Sequence, residues 1–73
     1  MKTLDLHGNK HNDVDRVVEN FTLLEEFPHK IITGKSTQMN NLVLKVLERH
    51  NCVWDYETPG NWGSIVVKGK YDG

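Results

Sequence analysis

Two amphipathic stripes, each leading into a short strand-like run, leave this chain few ways to fold. Val14, Val17, Val18, Phe21 and Leu24 recur at i, i+3, i+4, i+7 and i+10, and Met39, Leu42, Val43, Val46 and Leu47 repeat the pattern. That spacing gives each of two helices one apolar face. Leu4 to His7, Lys30 to Thr33, Cys52 to Tyr56 and the segment from Trp62 or Ser64 to Lys68 read as strands by alternation or β-branching. The order is β-α-β-α-β-β. A chain of 73 residues buries only about 60% of its unfolded surface. One sheet with two helices against it is close to the most it can build.

The ends of these elements carry their own signals. Asn12 is placed to cap the first helix, with Asp13 and Asp15 in its first turn, and Phe27-Pro28 stops it. Ser36 or Thr37 is placed to cap the second, and Arg49 and His50 sit at its C-terminus, where positive charge is favoured. Thr58-Pro59-Gly60-Asn61 is a turn, and residues 69–73 read as a frayed tail beyond a core of about 3–68.

Helical crossovers make the first three strands parallel and place both helices on one face, and the last strand returns antiparallel beside the third. The expected fold is an α/β two-layer sandwich with a four-stranded mixed sheet. Ligands of open α/β sheets gather outside the carboxyl ends of the strands. Asp5 to Gly8, Thr33 to Ser36 and Gly60 to Gly63 should therefore share one edge, although they are far apart in the chain.

Composition narrows the setting. No window approaches the ~20 apolar residues of a membrane span, and the opening Met-Lys-Thr-Leu-Asp lacks a secretory apolar region. The lone Cys52 rules out an internal disulfide framework, suits a reducing, cytoplasmic compartment and reads as a buried thiol. A formal net charge of −1 is not that of a strong non-specific nucleic-acid binder, so any phosphate contact must come from a local cluster and be salt-sensitive.

The polar residues of the shared edge suit phosphodiester chemistry. Alternation puts Leu4 and Leu6 on one strand face and Asp5 and His7 on the other. An imidazole with an ordinary pKa near ~6.5 can take or deliver a proton. Asp5 can orient it, or hold a divalent cation beside a phosphate. Gly8 frees the turn that follows. Lys10 and Lys35 bring positive charge, and the N–H groups of Gly34 to Thr37 form an anion site at a helix N-terminus. Trp62 can stack a base or simply cover the sheet edge.

Three other motifs fail. Thr33-Gly34-Lys35-Ser36-Thr37 looks like the end of a phosphate-binding P-loop, but His29 stands where that motif needs its first glycine. His7, His11, His29, His50 and Cys52 lack zinc-ligand spacing. Asn12-Asp13-Val14-Asp15 lacks the glycine and terminal glutamate of a calcium loop.

Leu4-Asp5-Leu6-His7-Gly8, followed by Thr33-Gly34-Lys35-Ser36 and Gly60-Asn61-Trp62-Gly63, resembles the small MutS-related (Smr) domain family over nearly all of residues 3–68. Ser36 stands where a second loop glycine is usual, and Asn40-Asn41 where a basic residue is frequent. The resemblance implies a nucleic-acid-binding sandwich whose members nick DNA or cleave RNA, with Asp5 and His7 as catalytic candidates. It implies nucleic-acid contacts at Gly8, Lys10, Thr33, Gly34, Lys35, Ser36, Thr37, Asn61, Trp62 and Gly63. RNA is expected ahead of DNA, with the domain a monomer or weak dimer that can serve a larger complex. The alternative is a non-catalytic module that meets a protein partner, a second copy or RNA through the loop edge or the uncovered sheet face.

Overall fold

The computed structural model describes residues 1–71. Its elements are β1 (Lys2–Asp5), α1 (His11–Leu24), β2 (His29–Ile32), α2 (Thr37–Arg49), β3 (Cys52–Thr58) and β4 (Asn61–Lys70). They form the expected α/β two-layer arrangement, a four-stranded mixed sheet with two helices packed on one face. β1 and β2 run parallel, and β3 and β4 pair antiparallel as a hairpin.

The sheet order is β1-β2-β4-β3. The last strand thus lies beside the third, as the hairpin requires, and also pairs antiparallel with β2. Side-chain chemistry explains the insertion. Ile65-Val66-Val67 is apolar on both faces, which suits an interior strand. β3 carries Asp55 and Glu57 on alternate positions, which suits an exposed edge.

Leu6, Val14, Val18, Ile31, Met39, Val43, Val46, Leu47, Ile65 and Val67 form the core between helices and sheet. On α1 the stripe closes with buried Thr22, and Leu24 is 81% exposed, because the helix ends there and Glu25 turns away. α1 begins one residue before Asn12, with Lys10 at the cap position and no side-chain cap. α2 is capped as the sequence suggests, the Met39 N–H donating to the Ser36 hydroxyl at 3.2 Å. At its other end Arg49 reaches across to α1, donating to both Asp15 carboxylate oxygens and to Glu19.

Strand limits shift by a few residues. β1 starts at Lys2 and stops at Asp5, although the Leu6 N–H still donates to the Ile32 carbonyl. Gly69 and Lys70, expected in a frayed tail, belong to β4 and pair with Val53 and Cys52. The last two tail residues, 72–73, lie outside the described residues. Cys52 is half-buried rather than fully enclosed, and burial raises its thiol pKa. No helix among the described residues is long and apolar enough to cross a membrane.

Candidate nucleic-acid interface

Strand direction decides which loops meet. β1 and β2 both end, and β4 begins, at the same rim, since Asp5 pairs with Ile32 and Ile32 with Ser64. Both helices start there as well, because each follows one of those strands.

Leu6 is the anchor on the β1 side. Its side chain is buried in the core, so its neighbours Asp5 and His7 project to solvent on the other face. One carboxylate oxygen of Asp5 takes two hydrogen bonds from the same residue. The His7 backbone N–H donates to Oδ1 at 2.9 Å, and the ring Nδ1 lies 2.8 Å from it. These bonds, the backbone one foremost, hold the Asp5 carboxyl below its ordinary pKa. An ionised carboxylate only accepts, so Nδ1 carries the hydrogen and Nε2 is the nitrogen left open.

Nε2 points at the β2–α2 turn. A Cβ built on Gly34 would lie 3.1 Å from it, so the missing side chain is what lets the turn lie this close to the ring edge. Gly34 also has φ +66°, the left-handed conformation that glycine adopts without strain. The third loop closes from behind. The Gly63 carbonyl accepts from the Thr33 and Gly34 N–H groups at 2.9 and 3.1 Å, and a Cβ on Gly63 would come 3.1 Å from the Gly34 carbonyl carbon. Asn61 Oδ1 in turn accepts the Gly63 N–H at 3.1 Å.

Asp5, His7, Gly34, Asn61 and Gly63 are thus brought into one connected group. Their roles differ from those expected. Thr33 and Gly63 are buried and shape the rim from within, and the Thr33 hydroxyl donates to the Gly34 carbonyl. The Gly34 N–H is spent on Gly63, so it is lost to the expected anion site. That site shifts by one turn. The Ser36 hydroxyl takes the Met39 amide and the Ser36 carbonyl takes the Asn40 amide, leaving the Thr37 and Gln38 amides as the open donors of α2. α2 has no acidic residue in its first turn, whereas α1 has Asp13. The positive end of α2 is therefore the one open to an anion.

Lys10 and Lys35 are exposed and form no ion pair among the described residues. Gly8 has φ +84°, with nothing within 4 Å of where a Cβ would sit. Trp62 is about one-third exposed at the start of β4. Among the described residues no three His, Cys, Asp or Glu side chains gather in a group suited to a metal ion.

Two surface clefts lie elsewhere. One, between Met1, Leu24 and Phe27, is at the opposite end of β1 and β2; the other runs beside Asp55, Pro59 and Lys68. Neither includes Asp5, His7 or Gly34, and the His7 and Asp5 side chains are 70% and 58% exposed. On the uncovered sheet face the charges are largely matched, with Lys30 bonded to Glu57 at 2.9 Å across β4 and Lys68 3.9 Å from Asp55.

The signal that sequence reading missed is the Asn61-to-Gly63 bond. Asn two residues before Gly in a turn is a common Asx arrangement, and it marks Asn61 as the residue that sets the third loop. Comparison of the chain with family models, with curated proteins and with solved structures finds no match.

Proposed function

We propose that this protein binds nucleic acid at the rim formed by the ends of β1 and β2 and the start of β4, with RNA favoured over DNA. Asp5 and His7 are its candidate reactive pair for phosphodiester cleavage. The observation that carries the reading is the meeting of Asp5, the His7 Nε2 edge and the glycine turn before α2 on one solvent-exposed rim. A phosphate on the Thr37 and Gln38 amides and Lys35 would be held by a helix end and a flexible point charge. An open rim suits a long strand better than a small metabolite, which requires an enclosing pocket. The motif resemblance to Smr domains at Leu4 to Gly8 and Thr33 to Ser36 supports the same reading.

Fluorescence anisotropy with a short single-stranded RNA and its DNA equivalent, repeated across salt concentrations, tests it. Binding should weaken steeply with salt, and Lys35→Ala should lower the salt slope by about 1. Unchanged affinity in Lys10→Ala and Lys35→Ala together would move the interface off this rim.

The charge-matched sheet face supports a second reading, a non-catalytic module that docks a protein or a second copy there. Sedimentation separates the two: a concentration-dependent dimer indifferent to added RNA favours the second.

A further inference from the structure

The two edges of the sheet are not alike. On β3 the register with β4 shifts between Val53 and Trp54 and again between Tyr56 and Thr58, and Asp55 and Glu57 stand on alternate positions. The Tyr56 N–H is taken by the Asp55 side chain at 2.8 Å. Irregularity and charge of this kind keep a further strand from pairing. β1, the opposite edge, keeps an unbroken register with β2. The Leu6 N–H donates to the Ile32 carbonyl, so Leu6 and Leu4, two residues apart, turn their backbone groups toward β2. Thr3 and Asp5 turn theirs outward, and no backbone hydrogen bond reaches them from elsewhere among the described residues.

We infer that β1 pairs antiparallel with β1 of a second copy, with Leu4 on the twofold axis, to make one continuous sheet across two protomers. A twofold axis between antiparallel edge strands stands normal to the sheet, so both copies keep their helices on the same side. Residues that meet must then share a face, and outward-turned backbone must meet outward-turned backbone. Centring on Leu4 satisfies both conditions. It sets Thr3 opposite the partner's Asp5 twice over, and each such pair exchanges both N–H···O bonds. Centring on Asp5 would put two carboxylates opposite each other, and centring on Thr3 would leave Asp5 facing the apolar Met1.

The side chains fit the same register. Asp5 Oδ1 is committed to His7, and no hydrogen bond among the described residues uses Oδ2. Thr3 is exposed, and Cβ atoms of directly opposite residues lie about 4.5–5.5 Å apart, within reach of a hydroxyl-to-carboxylate bond. The partner's Thr3 thus adds a donor to the carboxylate that holds His7. Lys30, beside Thr3 on β2, is bonded to Glu57 and does not compete for it. On the helix side Leu4, only partly buried at the margin of the core, meets its own copy across the axis. An edge this short makes a weak, transient contact.

Sedimentation equilibrium of the full chain without nucleic acid, from micromolar to millimolar protein, should show monomer passing to dimer. Thr3→Glu sets a second carboxylate opposite the partner's Asp5 and should weaken dimerisation by about 2–30-fold, and Thr3→Lys should strengthen it by a similar factor. Thr3→Pro removes an outward N–H that β2 does not use, so it should keep the circular dichroism of the parent and abolish the dimer. If that variant fails to fold, the opposite signs of the Glu and Lys variants still decide. A monomer at every concentration, which leaves the edge to a strand of another protein, overturns the inference. So does a dimer that survives Thr3→Pro, which would lie on the uncovered sheet face, or one that Thr3→Glu and Thr3→Lys affect alike. RNA binding is read in its own titration, so loss of the dimer leaves the proposed nucleic-acid surface standing.

Discussion

The His7 Nε2 atom stands 3.1 Å from the point where a Cβ on Gly34 would sit. Residues 27 positions apart in the chain are thus fitted to one another, one by an edge and the other by an omission. Gly34→Ala should disturb both the turn and the ring. The left-handed φ alone costs an alanine about 1–2 kcal/mol, which for a domain of this size lowers the melting temperature by roughly 4–16 °C. Thermal unfolding measures that loss, and the His7 ring resonances should move in the same variant. A ring signal left in place would show that Gly34 and His7 do not share this contact.

Asn61 acts at one remove. Its side chain holds the Gly63 N–H, and the Gly63 carbonyl holds the Thr33 and Gly34 amides. Asn61→Ala should cost about 0.5–1.5 kcal/mol, the net worth of one hydrogen bond. It should also speed amide exchange at Gly34, whose protection depends on the third loop. Asn61→Asp keeps an acceptor oxygen and should restore the protection; equal exchange in all three proteins would detach Asn61 from the turn.

His29 should make stability depend on pH. It is fully buried at the start of β2, stacked on Phe27 with the Phe21 ring at its edge, and its Nδ1 donates to the Glu26 carbonyl at 3.2 Å. Burial lowers its pKa below the ordinary value, against smaller raising effects from the Glu26 bond and from Glu25. The unfolded chain therefore takes up the proton first as pH falls. Stability is full above the unfolded pKa of ~6.5 and is lost as pH drops from there toward the folded value, by at most about 1.4 kcal/mol per pH unit. Urea unfolding from pH 8 to 5 should show that loss, and His29→Phe should flatten it. Parallel curves for the two proteins would mean that His29 is not the group responsible.

The sequence carried the layers of this fold plainly and the seating of its parts only in places. Helix faces are local: the spacing of Val14, Val18, Val43 and Leu47 is set by the 3.6-residue turn, and all four are buried. The shared rim is a consequence of strand direction, which the two crossover helices dictate. Strand neighbours are not local. The hairpin tells β4 only that β3 lies on one side, and its pairing with β2 depends on Ile65 and Val67 finding Ile31 and His29. The doubly apolar run Ile65-Val66-Val67 was the available clue. His29 was legible only as a residue that spoils a P-loop and lacks zinc-ligand spacing, because nothing in its neighbours announces that two phenylalanines will enclose it. The amide donors misassigned to Gly34 belong to the same class: which N–H is free depends on a carbonyl 29 residues away, at Gly63.

The proposed function requires that nucleic acid touch this rim. Titrating isotopically labelled protein with a short single-stranded RNA and following each backbone amide by NMR asks that directly. Shifts should concentrate at residues 5–8, at Lys35 to Gln38 and around Trp62, with the Met1–Phe27 end and the Lys30–Glu57 face unmoved. Saturable shifts on that far end or on the open sheet face, with the rim silent, would contradict it.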